Sequence, residues 1–422
     1  MISLQEFLPI IFISGLAVCL VTLVNTDFGI IILIFSMLFS PEFSIGGIPG
    51  RAVVVRIDDI LLLVVFFTWL AKMAISKETG LLKKSPLNPP IICFLCINIF
   101  STVLAIISGS VRPTSAFFYI LKYIEYFMLF FLILNNLHNY RQIKKFIAFL
   151  LITCFIVTIY TSTQIGKVSR ITAPFEGEPE PNTLGGYLLL LFAVNLGIFL
   201  YSKPGIWKFS SAFLCLFIIL SFLHTLSRGS YLAFIAMYLT FVILTQKKKS
   251  LLIAILLLSI IFLPSILPIA VIERIKETFV PGVVYKPLGT RIVLDESASA
   301  RVETWRSVLD KVKDRPIFGY GVTGMGLIDT QLPLVLGETG IIGLWIFIWL
   351  MMTIFINVFK TFKTARDDWG QGLALGFLGG FIGLLFHAFS ASTFIIIRIM
   401  EPFWFLVAIV IMLPEIINLE KS

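Results

Sequence analysis

The chain has 422 residues, 58% of them hydrophobic and only 14% charged, with a mean hydropathy of +0.99. A soluble globular domain does not average so apolar, which leaves a multi-spanning membrane protein. The net charge of +9 raises nucleic acid or anionic lipid as partners, and the recurrence of its lysines in alternate short links speaks for the membrane and against nucleic acid.

From the N-terminus, two short apolar stretches (8–24 and 28–40) are split by Asn25-Thr26-Asp27. They are either two short spans or one span and a re-entrant element. Glu6 but no Lys or Arg precedes the first run and no small-residue cleavage pattern follows, so no cleavable signal peptide is expected. Runs at 57–76, 90–108, 146–164 and 250–272 reach the about 20 residues that a helix needs to cross a ~30 Å hydrocarbon core. They are continuous rather than alternating, which predicts an all-α polytopic bundle of twelve or thirteen transmembrane helices and not a barrel. All five cysteines lie in apolar runs, so Cys93 and Cys96 read as packing residues despite their CxxC spacing. No internal repeat of the duplicated-transporter kind is visible.

Basic residues mark alternate links: Lys77, Lys83 and Lys84; Arg141, Lys144 and Lys145; Lys203 and Lys208; Lys247 to Lys249; Lys360, Lys363 and Arg366. The positive-inside rule makes these links cytoplasmic. The intervening segments, 109–116, 165–181, the turn at Arg228, 273–332 and 390–398, then face outward. The predicted organisation is a transmembrane bundle over 1–272, a large extracytoplasmic loop over 273–332 and C-terminal helices over 333–422.

The outward segments carry isolated arginines: Arg51, Arg56, Arg112, Arg170, Arg228 and Arg398. They work against the topological signal, and arginine is suited to forked hydrogen bonding of phosphate. A shared anionic ligand therefore accounts for them better than separate local pairs. Arg170 sits in a Pro/Gly/Glu-rich loop where Glu176 or Glu178 offers a salt bridge. Arg228 follows an apolar span at a Ser-Arg-Gly turn, where a partner or an aqueous cavity is required. His224 lies one helical turn earlier, and His387 opens another outward turn. In the large loop a helix over 299–313 is expected, capped by Ser299 and stopped before Pro316. Arg301, Trp305, Val308, Leu309 and Val312 fall on one stripe, opposite Glu303, Arg306, Asp310 and Lys313. Arg301 in a first turn would gain from a bound anion, and Trp305 and Arg306 are further candidates to bind substrate. Lys122 with Glu125, and Arg56 with Asp58 and Asp59, read as local pairs.

Candidate bases are few: Asp329, Glu338, His224 and His387. No cluster has metal-ligand spacing, and there is no P-loop or dinucleotide fingerprint. No cofactor is expected. A lipid diphosphate sugar fits such a site, with arginines on the diphosphate and a carboxylate on the attacking hydroxyl.

The chain resembles the O-antigen ligase and O-antigen polymerase superfamily of bacterial envelope glycosyltransferases. The likeness rests on Arg56-Ile57-Asp58-Asp59; Arg170 with the following Pro-Phe-Glu-Gly-Glu-Pro-Glu-Pro-Asn-Thr-Leu-Gly-Gly-Tyr; Ser227-Arg228-Gly229; Arg301 and Trp305; Phe318-Gly319-Tyr320-Gly321; Glu338-Thr339-Gly340; and His387 with Arg398-Ile399-Met400-Glu401-Pro402. It implies a GT-C-like fold and a metal-independent transfer of glycan from an undecaprenyl-diphosphate-linked oligosaccharide, as donor and acceptor, on the periplasmic face of the inner membrane. It also implies membrane lipids and a chain-length regulator protein as partners, and diphosphate binding by Arg170, Arg228 and Arg301. Ligases of this superfamily carry a His-Asn-x-Tyr-Leu run before the Glu-Thr-Gly, with the histidine as base. Here Asp329-Thr330-Gln331-Leu332-Pro333 stands in that register, which favours a polymerase with Asp329, or else Glu338, as base. A ligase acting on a lipid core, and a lipid-linked glycan transporter, are the alternatives.

Overall fold

The computed structural model describes residues 4–48, 51–75, 83–266, 268–277, 283–285, 292–294, 296–326 and 328–420. Its helices in chain order are α1 (Leu4–Val24), α2 (Thr26–Phe39), α3 (Ile57–Ile75), α4 (Asn88–Ile107), α5 (Pro113–Asn136), α6 (Tyr140–Ser162), α7 (Pro181–Tyr201), α8 (Ile206–His224), α9 (Arg228–Leu244), α10 (Lys249–Ile266), α11 (Ile269–Lys276), α12 (Glu296–Val312), α13 (Gln331–Thr364), α14 (Asp368–His387) and α15 (Ile397–Leu419). The protein is thus an all-α polytopic membrane protein. Among the described residues, eight helices, α4 to α8 and α13 to α15, are long and apolar enough to cross a bilayer. Helices α2 and α9, of 14 and 17 residues, are shorter, and α3 carries Asp58, Asp59 and Lys72.

Two hairpins interrupt this pattern. β1 (Glu42–Ile48) pairs antiparallel with β2 (Arg51–Arg56), Glu42 opposite Arg56, with a register shift between Ser44 and Gly46. β3 (Val283–Tyr285) pairs with β4 (Ile292–Leu294) inside the large loop. The helix count had left no room for strands, although Val53-Val54-Val55 after Pro49-Gly50 carries the β-branched run and turn residues of a hairpin.

The basic links gather at one end. Gln142 Nε2 donates to Asp27 Oδ1 at 2.6 Å, Lys83 Nζ to the Leu137 carbonyl at 3.3 Å, and the rings of Trp207 and Trp369 stand 5.2 Å apart. Tyr140 bonds Asp367, and Lys247 bonds Asp368. Lys77 lies outside the described residues. The Asn25–Asp27 turn belongs to this end, so α2 runs from it to the β1–β2 hairpin at the other. That arrangement fits two short spans rather than a re-entrant element.

The centre of the bundle is α7, α14 and α15, buried along most of their length. Small residues allow α7 and α14 to approach to backbone contact: a Cβ on Gly197 would overlap the Gly372 carbonyl and the Gly376 backbone. Without a hydrophobic drive between helices in lipid, such close packing is what holds them together.

The helix expected over 299–313 begins instead at Glu296, so Ser299 is buried inside α12 rather than capping it. Arg301 therefore sits beyond the first turn, and the dipole argument for an anion there falls away. The stripe is real in part: Val308 and Val312 are buried against Ile328 and Leu334, while Leu309 is 50% exposed. α12 thus docks on the start of α13.

Candidate functional site

The end opposite the basic links is built around the turn between α8 and α9. Thr225-Leu226-Ser227 leaves α8 with Leu226 in the left-handed region (φ 51°), and Ser227 caps α9 by accepting the Ser230 N–H. From this cap a buried polar chain runs inward. Ser227 Oγ donates to Asn182 Oδ1 and Ser230 Oγ donates to Ser227 Oγ, both at 2.7 Å. His387 Nε2 lies 3.2 Å from Ser230 Oγ, and its Nδ1 lies 2.8 Å from Thr393 Oγ1. Each ring nitrogen of His387 thus meets a hydroxyl. His387 is fully buried and holds the head of α9 rather than facing the outside. Arg301 lies within electrostatic reach of it, which brings α12 over the end of α14.

Arg228 is the first residue of α9. Arg170 approaches from the 163–180 loop, its Nε donating to the Thr225 carbonyl at 3.1 Å. The Ile171 N–H, bonded to the His224 carbonyl at 3.3 Å, fastens that loop to α8. Arg274 joins them from α11, where it pairs with Glu277. Burial, then Arg274 and Arg228, lower the Arg170 pKa from its ordinary value. The expected salt bridges of Arg170 to Glu176 or Glu178 do not form among the described residues. Arg274 was missed in the sequence, where it looks like any charge in a polar segment. His224 itself is half-buried, its Nδ1 2.9 Å from the Leu220 carbonyl of its own helix.

α13 is broken where the Glu-Thr-Gly motif lies. Gly340 takes φ 66° and ψ −167°, and a Cβ there would collide with the Ile317 carbonyl. The Phe318–Gly321 turn packs into the break: Tyr320 N–H donates to Gly337 O at 2.9 Å, Gly321 N–H to Glu338 O at 2.8 Å, and Ile341 N–H to Pro316 O at 2.9 Å. The Ser101 hydroxyl of α4 faces the Phe318 and Glu338 carbonyls. Glu338 is buried, and its Oε1 accepts the Thr323 N–H at 2.7 Å. Asp329 differs: it is exposed and has no hydrogen bond or ion pair among the described residues. Gln331, two residues on, donates its N–H to Ala388 O at 3.0 Å and accepts the Phe394 N–H at 2.8 Å. Asp329 is thereby held beside the turn that carries His387. On α12, Trp305 is half-buried and Arg306 exposed.

Arg56 and Arg398 form a separate, buried charge group. Arg398 is 2% exposed. Its guanidinium meets Glu42 Oε1 at 3.0 and 3.2 Å and the carbonyls of Leu38, Pro174 and Phe175 at 2.9, 2.8 and 3.2 Å. Its donors are therefore held by the protein. Arg56 Nη2 lies 2.7 Å from Asp58 Oδ2 and 2.6 Å from the Met37 carbonyl, at 1% exposure. The pairs read as local extend further: Lys122 meets Asp59 as well as Glu125, and Glu401 of α15 joins Asp58 and Asp59. These three carboxylates are the group among the described residues with the geometry to hold a metal.

Residues 213–348 match the family model of O-antigen ligases. This match supports membership of the O-antigen ligase and polymerase superfamily and implies a glycosyltransferase-like enzyme. It covers α8 from residue 213, all of α9 to α12 and the first half of α13, hence Arg228, Arg274, Arg301, Asp329 and Glu338. Comparison with curated proteins gives no match.

Proposed function

We propose that the protein is an O-antigen-type polysaccharide polymerase of the bacterial inner membrane. It transfers a growing glycan from polyprenyl diphosphate to a lipid-linked repeat unit on the periplasmic side. The observation that carries this reading is the convergence of Arg170, Arg228 and Arg274 from three separate elements, close enough for their charges to oppose one another. They gather at the end opposite the lysine-rich links. Like charges are brought together at such a distance when an anion is to be held between them.

The diphosphate of the donor would lie on these arginines, with Arg301 closing over from α12. As the bond from the anomeric carbon to the diphosphate oxygen breaks, the leaving group gains negative charge, and fixed guanidinium groups stabilise that charge without reorganising. Asp329 takes the proton of the acceptor hydroxyl as its oxygen bonds the anomeric carbon. Its exposure leaves it open to an acceptor, and its link through Gln331 to the His387 turn places it on the same end as the arginines. The buried His387 chain positions Arg228 by fixing the cap of α9. A chain-length regulator protein is the expected partner in the membrane.

The ligase reading is the second one, and the family match supports it and the polymerase alike. The two readings separate in a turnover assay on the purified full-length protein in detergent. Given polyprenyl-diphosphate oligosaccharide alone, the polymerase makes a ladder of repeats, and Arg228→Ala does not. Transfer that occurs only when a lipid-core acceptor is added makes the protein a ligase. Neither product, with donor of the native sugar composition, overturns the assignment.

A further inference from the structure

Three carboxylates distant in sequence meet in a buried place. Asp58 and Asp59 open α3 and Glu401 lies in the first turns of α15, with one oxygen of each within 4.8 Å of the others. Their exposures are 1%, 4% and 4%. Each aspartate commits one oxygen to a protein cation. Asp58 Oδ2 stands 2.7 Å from Arg56 Nη2, an ion pair not aligned as a hydrogen bond. Asp59 Oδ2 accepts the Arg56 backbone N–H at 2.8 Å and meets Lys122 Nζ. Asp58 Oδ1, Asp59 Oδ1 and Glu401 Oε2 remain, one on each carboxylate, all buried and none reached by a hydrogen-bond donor among the described residues.

The charges do not balance. With Glu125, which pairs with Lys122 at 3.2 Å, four carboxylates face the two cations Arg56 and Lys122. Buried charges without compensation are strongly unfavourable in a low dielectric. Two surplus negative charges and three carboxylates with an oxygen each within 4.8 Å of the others match one doubly charged ion. The donor set is all carboxylate, with no thiolate or imidazole, which selects the hard, oxygen-preferring cations. Metal–oxygen distances of about 2.0–2.6 Å put opposed ligand oxygens close to the observed separation.

We propose that Asp58, Asp59 and Glu401 bind one divalent cation of the Mg2+ or Ca2+ class, which pins the head of α3 to α15. The site is independent of the transfer reaction and supplies no chemistry to it. Its role is to hold the β1–β2 hairpin and α15 in register, and with them Arg398, which carries the 174–176 loop. The rival way to neutralise the group is a proton shared between Asp58 and Glu401, which are close enough for one.

The test uses the full-length protein in detergent, purified without added metal, with Mg and Ca measured by mass spectrometry. The site predicts about one ion per chain. After treatment with a chelator, adding MgCl2 or CaCl2 at constant ionic strength should raise the melting temperature by several degrees in a saturable manner. Glu401→Gln should bind no ion and lose the response, whereas Glu125→Gln, which removes no ligand, should keep both. A wild-type protein with no bound ion and no response to either cation overturns the proposal in favour of the shared proton, whether or not the variants fold. An ion retained equally by Glu401→Gln overturns it as well.

Discussion

Arg398 on α15 and Glu42 on β1 meet across 356 positions of the chain, with Nη2 and Nε 3.0 and 3.2 Å from the same carboxylate oxygen. The same guanidinium collects carbonyls from α2 and the 174–176 loop. One side chain thus joins three segments that no short-range signal relates. Removing it would strand the Glu42 carboxylate, and Glu176 at 3.9 Å, beside the three carbonyls it had held. Breaking a buried ion pair on one side costs about 3–5 kcal/mol. Arg398→Ala should therefore lower the melting temperature in detergent sharply, and Arg398→Lys, which cannot fork, should recover only part of the loss. A variant as stable as wild type would show that the node does not hold the fold.

Glu176 makes the same node sensitive to pH. Burial pushes its carboxyl up to about 8, against the lowering effect of Arg398 and of the Glu180 N–H. In the unfolded chain it titrates near 4.5. Between these values the native state holds a proton that the unfolded chain has released, so stability falls as pH rises through this window. At about 1.4 kcal/mol per unit the effect amounts to a few kcal/mol. Melting temperatures measured from pH 5 to 9 should drop more steeply for wild type than for Glu176→Gln, the variant gaining most at the alkaline end. Parallel curves would count against this titration.

At Gly340 the backbone lies in a region open in practice to glycine alone. Gly340→Ala would add strain of about 1–3 kcal/mol and drive its Cβ into the Ile317 carbonyl, displacing the Phe318–Gly321 turn. The expected result is a clear loss of stability, together with faster proteolysis in the 313–326 segment. An alanine variant with unchanged melting and cleavage would contradict the interlock.

Much of this architecture was legible in the sequence because single segments encode it. Apolar runs of bilayer length give the spans, and the lysine links that meet at Trp369 and Asp27 give the two ends. The arginine turn at Arg228 and the helix carrying Arg301 could also be read, since a cation beside an apolar run is conspicuous. What could not be read was contact between segments. Glu401 looks like an ordinary charge before Pro402, and nothing local says that it meets Asp58 and Asp59. Arg274 looks like one charge among several in a polar stretch. His387 stood out as a titratable group, yet its burial under Ser230 and Thr393 makes it a strut. The helix start at Glu296 was missed because Ser299 matched the N-cap residue type.

Asp329 and Glu338, the two carboxylates put forward as the base, occupy opposite situations, and mutation can separate them. Glu338 is buried and holds the Thr323 N–H, with Thr323 itself in the left-handed region (φ 71°). Glu338→Gln weakens a charge-assisted bond worth about 1.5–3 kcal/mol, so any loss of transfer should come with a lower melting temperature. Asp329 is exposed and ties no part of the fold together among the described residues. Asp329→Asn should leave the melting temperature within about 0.5 kcal/mol equivalent of wild type, as for other surface changes. It should nevertheless reduce polymer formation by about 100-fold or more, the usual contribution of a positioned base. The informative experiment reads both quantities on the same preparations. A folded, fully active Asp329→Asn protein removes Asp329 from the reaction, whereas a folded, inactive one makes the exposed carboxylate the base and leaves Glu338 the task of holding the loop.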